Sequence, residues 1–329
     1  MPASRFFVLI LFTAWCGACN HAPTAPTAPI APAAPLPPPL AAPPAVACPA
    51  DLAITAPTSQ GAIVSFRAPQ AEHGEGTVTV ACAPESGTTF PIGTTDVQCD
   101  AVDTLQRKAS CFFSVSVAAP PRLRLTRIMA FGDSITEGQV IVPNTESAEL
   151  ITTPAVAYPT VLAQLLGARY TDQRVEVFNE GRATERSELA LSRFIGTFGL
   201  DHPDVVVLLE GYNDIIFAAN GALGIAAAEA GVSALAADAR SRGARVFICT
   251  LTPSKAGRRQ IAMSAIQAAN DRLRVVARGE GAVLVDTYSA LLPFVDDSVS
   301  SDGLHLTPAG YRRVAEAVFA AIRAELEIK

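Results

Sequence analysis

Ser134 lies in Phe131-Gly-Asp-Ser-Ile-Thr-Glu-Gly138, directly after an apolar run, and is the candidate nucleophile of this sequence. A serine attacks an acyl carbon only when a base takes its proton and a third group orients that base. His305 follows Asp302 by three residues, and a carboxylate at this spacing within one tight turn reaches the imidazole Nδ1. These three residues therefore predict acyl-transfer chemistry.

The other histidines are poorly placed to act as the base. The chain has four histidines, of which His21 lies in a proline-rich segment and His73 in a small β-rich region. His202 directly precedes a predicted strand, so we expect it at the opposite edge of the sheet from the site. Elimination leaves His305. Cys249 lies inside a predicted strand and is interpreted as a buried apolar residue, because no histidine is expected near it.

Acyl transfer also requires hydrogen-bond donors for the oxyanion that forms on the attacked carbonyl group. The candidate donors are the backbone N–H of Ser134, the backbone N–H of Gly181 and the side-chain amide of Asn213. Each has an alternative interpretation. Gly181 could form an ordinary turn, and Asn213 could be a helix N-cap, a role open to Asp214 as well.

The elements that must position these residues alternate between strands and helices from about residue 123 onward. Short apolar runs predict strands buried on both faces, at residues 127–131, 175–179, 205–210, 245–251 and 282–286. Amphipathic stretches predict helices at residues 158–168, 187–195, 224–243, 264–278 and 308–326. This alternation predicts an α/β fold, a three-layer α/β/α sandwich with a five-stranded parallel sheet in flavodoxin-like order.

The loops that follow the first three predicted strands are rich in glycine and polar residues. They read Phe131-Gly-Asp-Ser-Ile-Thr-Glu-Gly138, Asn179-Glu-Gly-Arg-Ala-Thr-Glu185 and Glu210-Gly-Tyr-Asn-Asp214. Ligands of open parallel sheets bind beyond the carboxyl ends of the strands. The three loops are therefore expected to converge on one site.

These motifs together resemble the four blocks of the SGNH/GDSL hydrolases, in the order of that family. The blocks are Gly132-Asp-Ser-Ile135, the Asn179-x-Gly181 loop, Gly211-Tyr-Asn213-Asp and Asp302-x-x-His305, and the resemblance covers residues 124–329. One departure lies in the second block. Relatives often carry another glycine shortly after the first, where this chain has Arg182-Ala183-Thr184, which would stiffen the loop or bring Arg182 near the substrate.

The resemblance implies a carboxylic ester hydrolase that works in two steps through an acyl-enzyme, with no metal and no cofactor. It implies Ser134 as nucleophile, His305 as general base and Asp302 as the residue that orients the base. It also implies Ser134, Gly181 and Asn213 as oxyanion donors.

A different composition marks residues 48–119, which we predict to form a small all-β sandwich of the Ig-like type. Segments rich in β-formers and bounded by turn residues predict strands at residues 61–66, 76–81, 96–101 and 112–117. Four of the seven cysteines lie in this segment, and an even set in an exported domain of this size predicts two disulfides. Among the three pairings that four cysteines allow, we predict Cys48–Cys99 with Cys82–Cys111.

This segment resembles a hyalin-repeat (HYR) domain. The resemblance rests on Cys48-Pro49, Cys82-Ala-Pro-Glu-Ser-Gly87, Val97-Gln-Cys99-Asp and Cys111-Phe-Phe-Ser-Val115. Gln106 departs from the family, which usually turns on glycine there. The resemblance implies an adhesion or spacer module, so the domain either binds a glycan or protein ligand or only supports the rest of the chain.

The N-terminus predicts export. Arg5 precedes a short apolar run that is followed by Cys16-Gly-Ala-Cys19, as in a secretory signal, and the run is too short to span a bilayer. The segment resembles a bacterial lipoprotein signal, which implies residues 1–19 as the signal peptide, lipidation at Cys19 and an outer-membrane location facing the periplasm or the cell surface. Simple secretion is the alternative, because Cys16 stands where that pattern usually has leucine.

Residues 20–47 are rich in Pro and Ala and predict an extended linker, since each proline fixes φ and removes a backbone donor. Residues 139–157 predict a hairpin around Pro143-Asn144, which either lines a substrate pocket beside Ser134 or is a surface excursion. The net charge is −6 and no long basic cluster is present, so nucleic acid is excluded as a partner.

The leading hypothesis is an exported serine esterase acting on small-molecule or glycan esters, with short to medium acyl chains or acetyl groups. The first alternative is a surface adhesion protein whose SGNH domain is inactive, although every predicted triad and oxyanion position is filled. The second alternative is a lysophospholipase-like lipid hydrolase, although the sequence shows no amphipathic, aromatic-rich lid.

Overall fold

The computed structural model of the protein describes residues 35, 38–142 and 149–328. The predicted signal peptide, the predicted lipidation site at Cys19 and most of the predicted linker lie outside the described residues. So do Pro143 and Asn144, around which the hairpin is predicted to turn.

The N-terminal region is built from short β-strands. In chain order they are β1 (Ala45–Val46), β2 (Leu52–Thr55), β3 (Ala62–Val64), β4 (Ala71–Glu72), β5 (Thr79–Ala83), β6 (Thr88–Phe90), β7 (Gly93–Val102) and β8 (Lys108–Ala118). The main sheet has the strand order β2-β8-β7-β5, and smaller sheets pair β3 with β6 and β1 with β4. Phe90, Phe113 and Val115 fill the core between them. β1 lies within residues predicted as linker, and there it pairs with β4.

The predicted disulfide pairing is wrong. The structure joins Cys48 to Cys111 and Cys82 to Cys99. The reason is the register of the sheet. Cys82 on β5 lies directly opposite Cys99 on β7, with their Cα atoms 4.0 Å apart, so the two side chains meet on one face of adjacent strands. Cys111 is then left for Cys48, which lies just before β2, and β2 pairs with β8.

The second region contains the predicted five-stranded parallel sheet. The remaining strands of the chain are β9 (Arg122–Leu123), β10 (Arg127–Gly132), β11 (Gln139–Ile141), β12 (Leu150–Thr152), β13 (Glu176–Gly181), β14 (Val205–Leu209), β15 (Arg245–Cys249), β16 (Val283–Val285) and β17 (Glu327–Ile328). The order β13-β10-β14-β15-β16 confirms the flavodoxin-like prediction. Every residue of the central β14 is buried, as expected for a strand covered by helices on both faces.

Helices connect these strands. They are α1 (Ser134–Glu137), α2 (Tyr158–Arg169), α3 (Leu191–Asp201), α4 (Tyr212–Phe217), α5 (Gly221–Ser241), α6 (Met263–Gly279), α7 (Thr287–Leu291), α8 (Val295–Ser298) and α9 (Pro308–Leu326). Two 3₁₀ turns span Ser187–Leu189 and Leu292–Phe294. Among the described residues, α5 alone is long and apolar enough to cross a membrane, but Val232, Leu235 and Ala236 on it are buried in the core of the second region.

The two ends of the second region are joined to each other. β9, which follows the β-rich region, pairs antiparallel with β17 at the C-terminus. The Arg169 guanidinium forms an ion pair with Glu327 at 2.6 Å, and the Tyr170 hydroxyl donates to the same carboxylate at 2.8 Å. The Thr171 hydroxyl donates to the Pro57 carbonyl at 2.7 Å and so contacts the β-rich region. These contacts lie near the amino-terminal ends of the parallel strands.

Candidate active site

The predicted nucleophile lies in the sharp turn between β10 and α1. Ser134 is the first residue of α1, and the Asp133 carboxylate caps that helix by accepting from the Ile135 N–H at 2.9 Å. Only glycine fits at position 132. A Cβ there would lie 2.0 Å from Thr136 Oγ1 and 2.4 Å from the Leu209 carbonyl oxygen. The turn therefore presents Ser134 at the carboxyl end of the sheet, where the sequence predicts it.

The structure brings the three predicted triad residues together. Ser134 Oγ lies 2.9 Å from His305 Nε2, and His305 Nδ1 lies 2.6 Å from Asp302 Oδ2. All three residues are buried, with exposed fractions of 8% for Ser134 and 2% for each of the others. This arrangement can take the proton of a serine hydroxyl and stabilise the imidazolium that results.

Hydrogen bonds hold Asp302 in its ionised form. Its Oδ1 accepts from the Ser300 hydroxyl at 2.8 Å and from the backbone N–H groups of Leu304 and His305, each at 3.0 Å. Burial alone would raise the pKa of Asp302. The bond from the His305 ring, the Leu304 bond and the charge of the imidazole outweigh burial and hold that pKa well below its usual range.

Two of the predicted oxyanion donors already have acceptors within the protein. The Gly181 N–H donates to Asn179 Oδ1 at 3.0 Å. The Gly181 Cα packs against α1, since a Cβ there would lie 2.0 Å from the Glu137 nitrogen. The Asn213 Nδ2 donates to the Glu185 carbonyl at 2.8 Å, which fixes the amide and leaves its second hydrogen for another acceptor.

Neither Asn213 nor Asp214 is the N-cap of α4. That position belongs to Gly211, whose φ of 129° lies in the region that favours glycine. The Asp214 carboxylate instead accepts from the backbone N–H groups of Ser187 and Glu188, at 2.9 and 3.2 Å. It therefore ties the loop after β13 to α4.

The loop in which this chain departs from its relatives has an unusual backbone. Thr184 has a φ of 63°, in the left-handed region that a β-branched residue rarely adopts. Arg182 is exposed, and its N–H donates to the Gly132 carbonyl at 2.8 Å. The loop is thus fastened to the end of β10 beside the nucleophile.

Arg193 supports the site although sequence analysis did not single it out. On α3, it forms an ion pair with Glu185, donates to the Glu180 carbonyl at 3.0 Å and lies 4.0 Å above the Phe131 ring. The Glu185 carbonyl in turn accepts from Asn213. One feature of the sequence could have indicated this role. Arg193 lies on the inner face of a helix that is predicted to be amphipathic, where an arginine must pair with a buried carboxylate.

Other candidate residues lie away from this cluster. His202 ends α3 at the amino-terminal edge, where its carbonyl accepts from Arg127 at 3.2 Å, and His73 is exposed in the β-rich region. Burial raises the pKa of Cys249 to about 12, in line with a buried apolar residue. β11 and β12 form the predicted hairpin, and the Tyr311 hydroxyl donates to the Gln139 carbonyl at 2.6 Å.

Two buried carboxyl groups lie beside the nucleophile. Glu210, directly after β14, is 1% exposed, and neither of its carboxyl oxygens has a partner among the described residues. Burial raises the pKa of Glu210 well above its usual value, and the charges of Asp133 and Glu185 raise it further. Burial also raises the pKa of Asp133 to about 7, against the bond from Ile135. Burial therefore favours the neutral form of the Glu210 carboxyl group in the folded protein.

Glu210 should make the free energy of unfolding of the wild-type protein depend on pH. Since its pKa is higher folded than unfolded, wild type loses stability as the pH rises from the ordinary glutamate value of 4.5 toward the folded pKa. Glu210→Gln cannot ionise, so we expect it to gain at least about 1 kcal/mol in free energy of unfolding over wild type between about pH 5 and pH 8. Urea unfolding at both pH values measures this.

Glu316→Gln is the matched control, because that side chain is 50% exposed on α9 and should show no such gain. Equal pH dependence of wild type and Glu210→Gln would contradict the prediction.

Comparisons with known proteins agree with this geometry. Residues 130–313 match the model of the GDSL-like Lipase/Acylhydrolase family, and residues 41–117 match the HYR domain. No curated protein matches the chain. Among the described residues, no group of three or more histidine, cysteine, aspartate or glutamate side chains is arranged to hold a metal ion.

Solved structures share the fold of the second region. A lipase/acylhydrolase from Enterococcus faecalis is 22% identical, with a TM-score of 0.52, and the match covers 62% of this chain and 99% of that one. The α/β hydrolase LAE5 from the metagenome of Lake Arreo is 22% identical, with a TM-score of 0.49, over 60% of this chain and 94% of that one. The acetylxylan esterase Axe2 from Geobacillus stearothermophilus is 18% identical, with a TM-score of 0.49, over 59% and 93%.

At these identities the structural likeness shows the fold alone, whereas the family model covers more than half of the chain and includes the Ser134 and His305 motifs. The chain therefore belongs to the GDSL-like lipase/acylhydrolase family and is a carboxylic ester hydrolase.

Proposed function

We propose that this protein is an exported serine esterase that cleaves its ester through an acyl-enzyme formed on Ser134. One observation carries the proposal. The Ser134 hydroxyl, the His305 imidazole and the Asp302 carboxylate form one continuous hydrogen-bonded series at 2.9 and 2.6 Å. The lowered pKa of Asp302 keeps a negative charge against the imidazole at neutral pH.

The first step forms the acyl-enzyme. His305 Nε2 takes the proton of the Ser134 hydroxyl while Oγ bonds to the acyl carbon and the carbonyl oxygen becomes an oxyanion. The tetrahedral intermediate then collapses, the bond to the alcohol oxygen breaks, and the imidazolium returns its proton to the departing alcohol. In the second step, water attacks the acyl-enzyme with His305 again as base, and the acid leaves Ser134 free.

The oxyanion requires donors that act mainly in the transition state. The second Nδ2 hydrogen of Asn213 supports this role, because the first is fixed on the Glu185 carbonyl at 2.8 Å. The Ser134 N–H and the Gly181 N–H complete the proposed set. Since the Gly181 N–H now donates to Asn179 Oδ1, it must exchange that acceptor for the substrate oxygen.

We expect Asn213→Ala to lower kcat roughly 100- to 1000-fold with little change in KM, because the amide acts on charge that exists only in the transition state. Steady-state kinetics on p-nitrophenyl acetate measure this. Asn220→Ala is the matched control, since Asn220 caps the neighbouring α5 by accepting from the Leu223 N–H. That variant should keep its kcat, and a similar loss in both variants would contradict the role of Asn213.

For the substrate, we propose esters with short to medium acyl chains or acetylated glycans. Ile216 and Phe217 support a place for an acyl chain. They lie three and four residues beyond Asn213 on α4, on the same helix face, and are 40% and 55% exposed. The hairpin of β11 and β12 is the proposed second wall, since it directly follows the helix that carries Ser134.

A chain-length series of p-nitrophenyl esters, run beside acetylated xylan, tests the function and narrows the substrate. Hydrolysis of acetyl to octanoyl esters supports the esterase proposal, and release of acetate from xylan selects the glycan. A rate confined to long-chain or lysophospholipid substrates selects the lipid-hydrolase alternative. No hydrolysis of any ester by the folded full chain would favour the adhesion alternative.

We also propose that export ends in attachment to the bacterial outer membrane through a lipid at Cys19, with the HYR domain free to bind a glycan or protein. Secretion as a soluble protein is the alternative. Incorporation of labelled palmitate by wild type and its loss in Cys19→Ala would support the anchor. Absence of label from wild type would select secretion.

A further inference from the structure

The structure assigns a positioning role to residues 254–261, which we call the latch loop: it holds the backbone of Asp302 in place, and Arg259 on it offsets part of the negative charge that Asp302 places beside His305. The latch loop follows β15 and carries no residue of the proposed triad. The inference rests on the proposed function, since it concerns the acid and the base of that site.

Backbone hydrogen bonds join the latch loop to the turn that carries the acid. The Arg259 N–H donates to the Asp302 carbonyl at 2.7 Å, and the Lys255 N–H donates to the Gly303 carbonyl at 3.1 Å. The Ser254 hydroxyl donates to the same Gly303 carbonyl at 2.5 Å. The peptide units on both sides of the Gly303 Cα are therefore fixed by one loop.

Gly257 allows this close approach. A Cβ at position 257 would lie 2.3 Å from the Asp302 carbonyl carbon, 2.4 Å from its oxygen and 2.4 Å from the Gly303 nitrogen. All three neighbours are backbone atoms, so a side chain can be accepted only if the acid turn itself moves. A small movement there changes the 2.6 Å contact between Asp302 Oδ2 and His305 Nδ1.

Arg259 adds a charge to this arrangement. Its Nε lies 3.7 Å from Asp302 Oδ2, the oxygen that accepts from His305 Nδ1. The Asp302 side chain is fully buried, whereas that of Arg259 is 44% exposed. A cation beside this carboxylate offsets part of the negative charge that stabilises the imidazolium formed when His305 takes the Ser134 proton.

Other charged or titratable groups also lie near the acid and the base. On the latch loop itself, the Lys255 ammonium donates to the Asp296 carbonyl at 2.8 Å, and Arg258 directly precedes Arg259. Asp133 and Glu137 lie at and beside the turn of Ser134, and Tyr311 on α9 feels the charges of both as well as that of Asp302. Asp133, Glu137 and Tyr311 are acids, so none of them adds a positive charge beside Asp302. Arg259 is the described basic side chain in ion-pair contact with the buried carboxylate of Asp302.

The acid limb of the kcat/KM profile against pH, which reports protonation of the base, tests the role of Arg259. We expect Arg259→Gln to move the midpoint of this limb up by about 0.3–0.5 pH unit, a modest shift because the side chain is half exposed. Arg259→Lys keeps the positive charge, so the midpoint of its acid limb should lie close to that of wild type. High salt should reduce the difference between Arg259→Gln and wild type.

Arg272→Gln is the matched control, because that arginine is 61% exposed on α6 and pairs with Glu229 at 3.8 Å. Its limb should coincide with that of wild type. A purely structural role for Arg259 would lower the rate without moving the limb, so an unmoved limb in Arg259→Gln overturns the electrostatic part of the proposal.

Gly257→Ala tests the backbone part. We expect kcat to fall roughly 10- to 100-fold with KM nearly unchanged, since the displaced groups act on the chemical step and not on substrate binding. Gly279→Ala, at a position where a Cβ meets nothing within 4 Å, should behave as wild type. A wild-type kcat in Gly257→Ala overturns this part. Failure of the proposed function is separate, since wild type itself would then show no hydrolysis.

Discussion

Ser134→Ala should lower the hydrolysis of p-nitrophenyl acetate by at least ~10⁴-fold, because no other group then forms the bond to the acyl carbon. The loss should appear in kcat, whereas substrate binding should survive. The substitution removes one oxygen and leaves the N-cap of α1 by Asp133 intact, so the fold should be retained. A fluorophosphonate, which reacts with activated serines, should label Ser134 in wild type and leave Ser134→Ala unlabelled.

Ser233→Ala is the matched control for this variant. Ser233 lies on α5 and donates to Glu280 at 3.3 Å, away from the sheet edge that carries Ser134. Its activity and labelling should equal those of wild type. Residual hydrolysis by Ser134→Ala within tenfold of wild type, or a label found on another serine, would remove Ser134 from its proposed role.

Asp302→Asn has the second largest expected effect, a loss of roughly 10⁴-fold in kcat at neutral pH. An amide in place of the carboxylate can present N–H to His305 Nδ1, which favours the tautomer with its proton on Nε2. That tautomer cannot accept the Ser134 proton across the 2.9 Å contact. The Ser300 hydroxyl and the Leu304 N–H both donate to Asp302 Oδ1, and in the variant they would donate to an uncharged amide group.

Kinetics from about pH 6 to pH 10 measure this loss, with thermal unfolding as the check on the fold. Asp297→Asn is the matched control, because that carboxylate is 65% exposed and pairs with Arg313 on α9. It should keep full activity. If Asp302→Asn were nearly as active as wild type, His305 would need another group to orient it, and Asp302 would be only a structural residue.

The sheet and the proximity of Ser134, Asp302 and His305 could be predicted from the sequence because both depend on local patterns. Buried parallel strands appear as short apolar runs such as Val205–Leu209, and the alternation with helices leaves few strand orders. The pair Asp302 and His305 is separated by three residues, so one turn decides its geometry. Ser134 could be placed beside His305 because the carboxyl end of the first strand and the Asp302–His305 turn converge on the same edge.

The disulfides and the supports of the site could not be predicted in this way. The partner of Cys82 is set by the register between β5 and β7, and a shift in register places a different residue opposite it. Arg193 reaches Glu185 through the packing of α3 on the sheet. The contact of Arg259 with Asp302 depends on how the thirteen-residue connection between β15 and α6 folds back, for which periodicity carries no information.

The pairing of β9 with β17 has a consequence for access to the enzyme. β9 and β17, the first and last strands of the hydrolase domain, lie side by side at the end of the parallel strands opposite to Ser134. The HYR domain is therefore attached at the end of the sheet opposite to Ser134, so its point of attachment does not cover the Ser134 face. A domain whose two ends lie close together can also be inserted into a different protein chain as one unit.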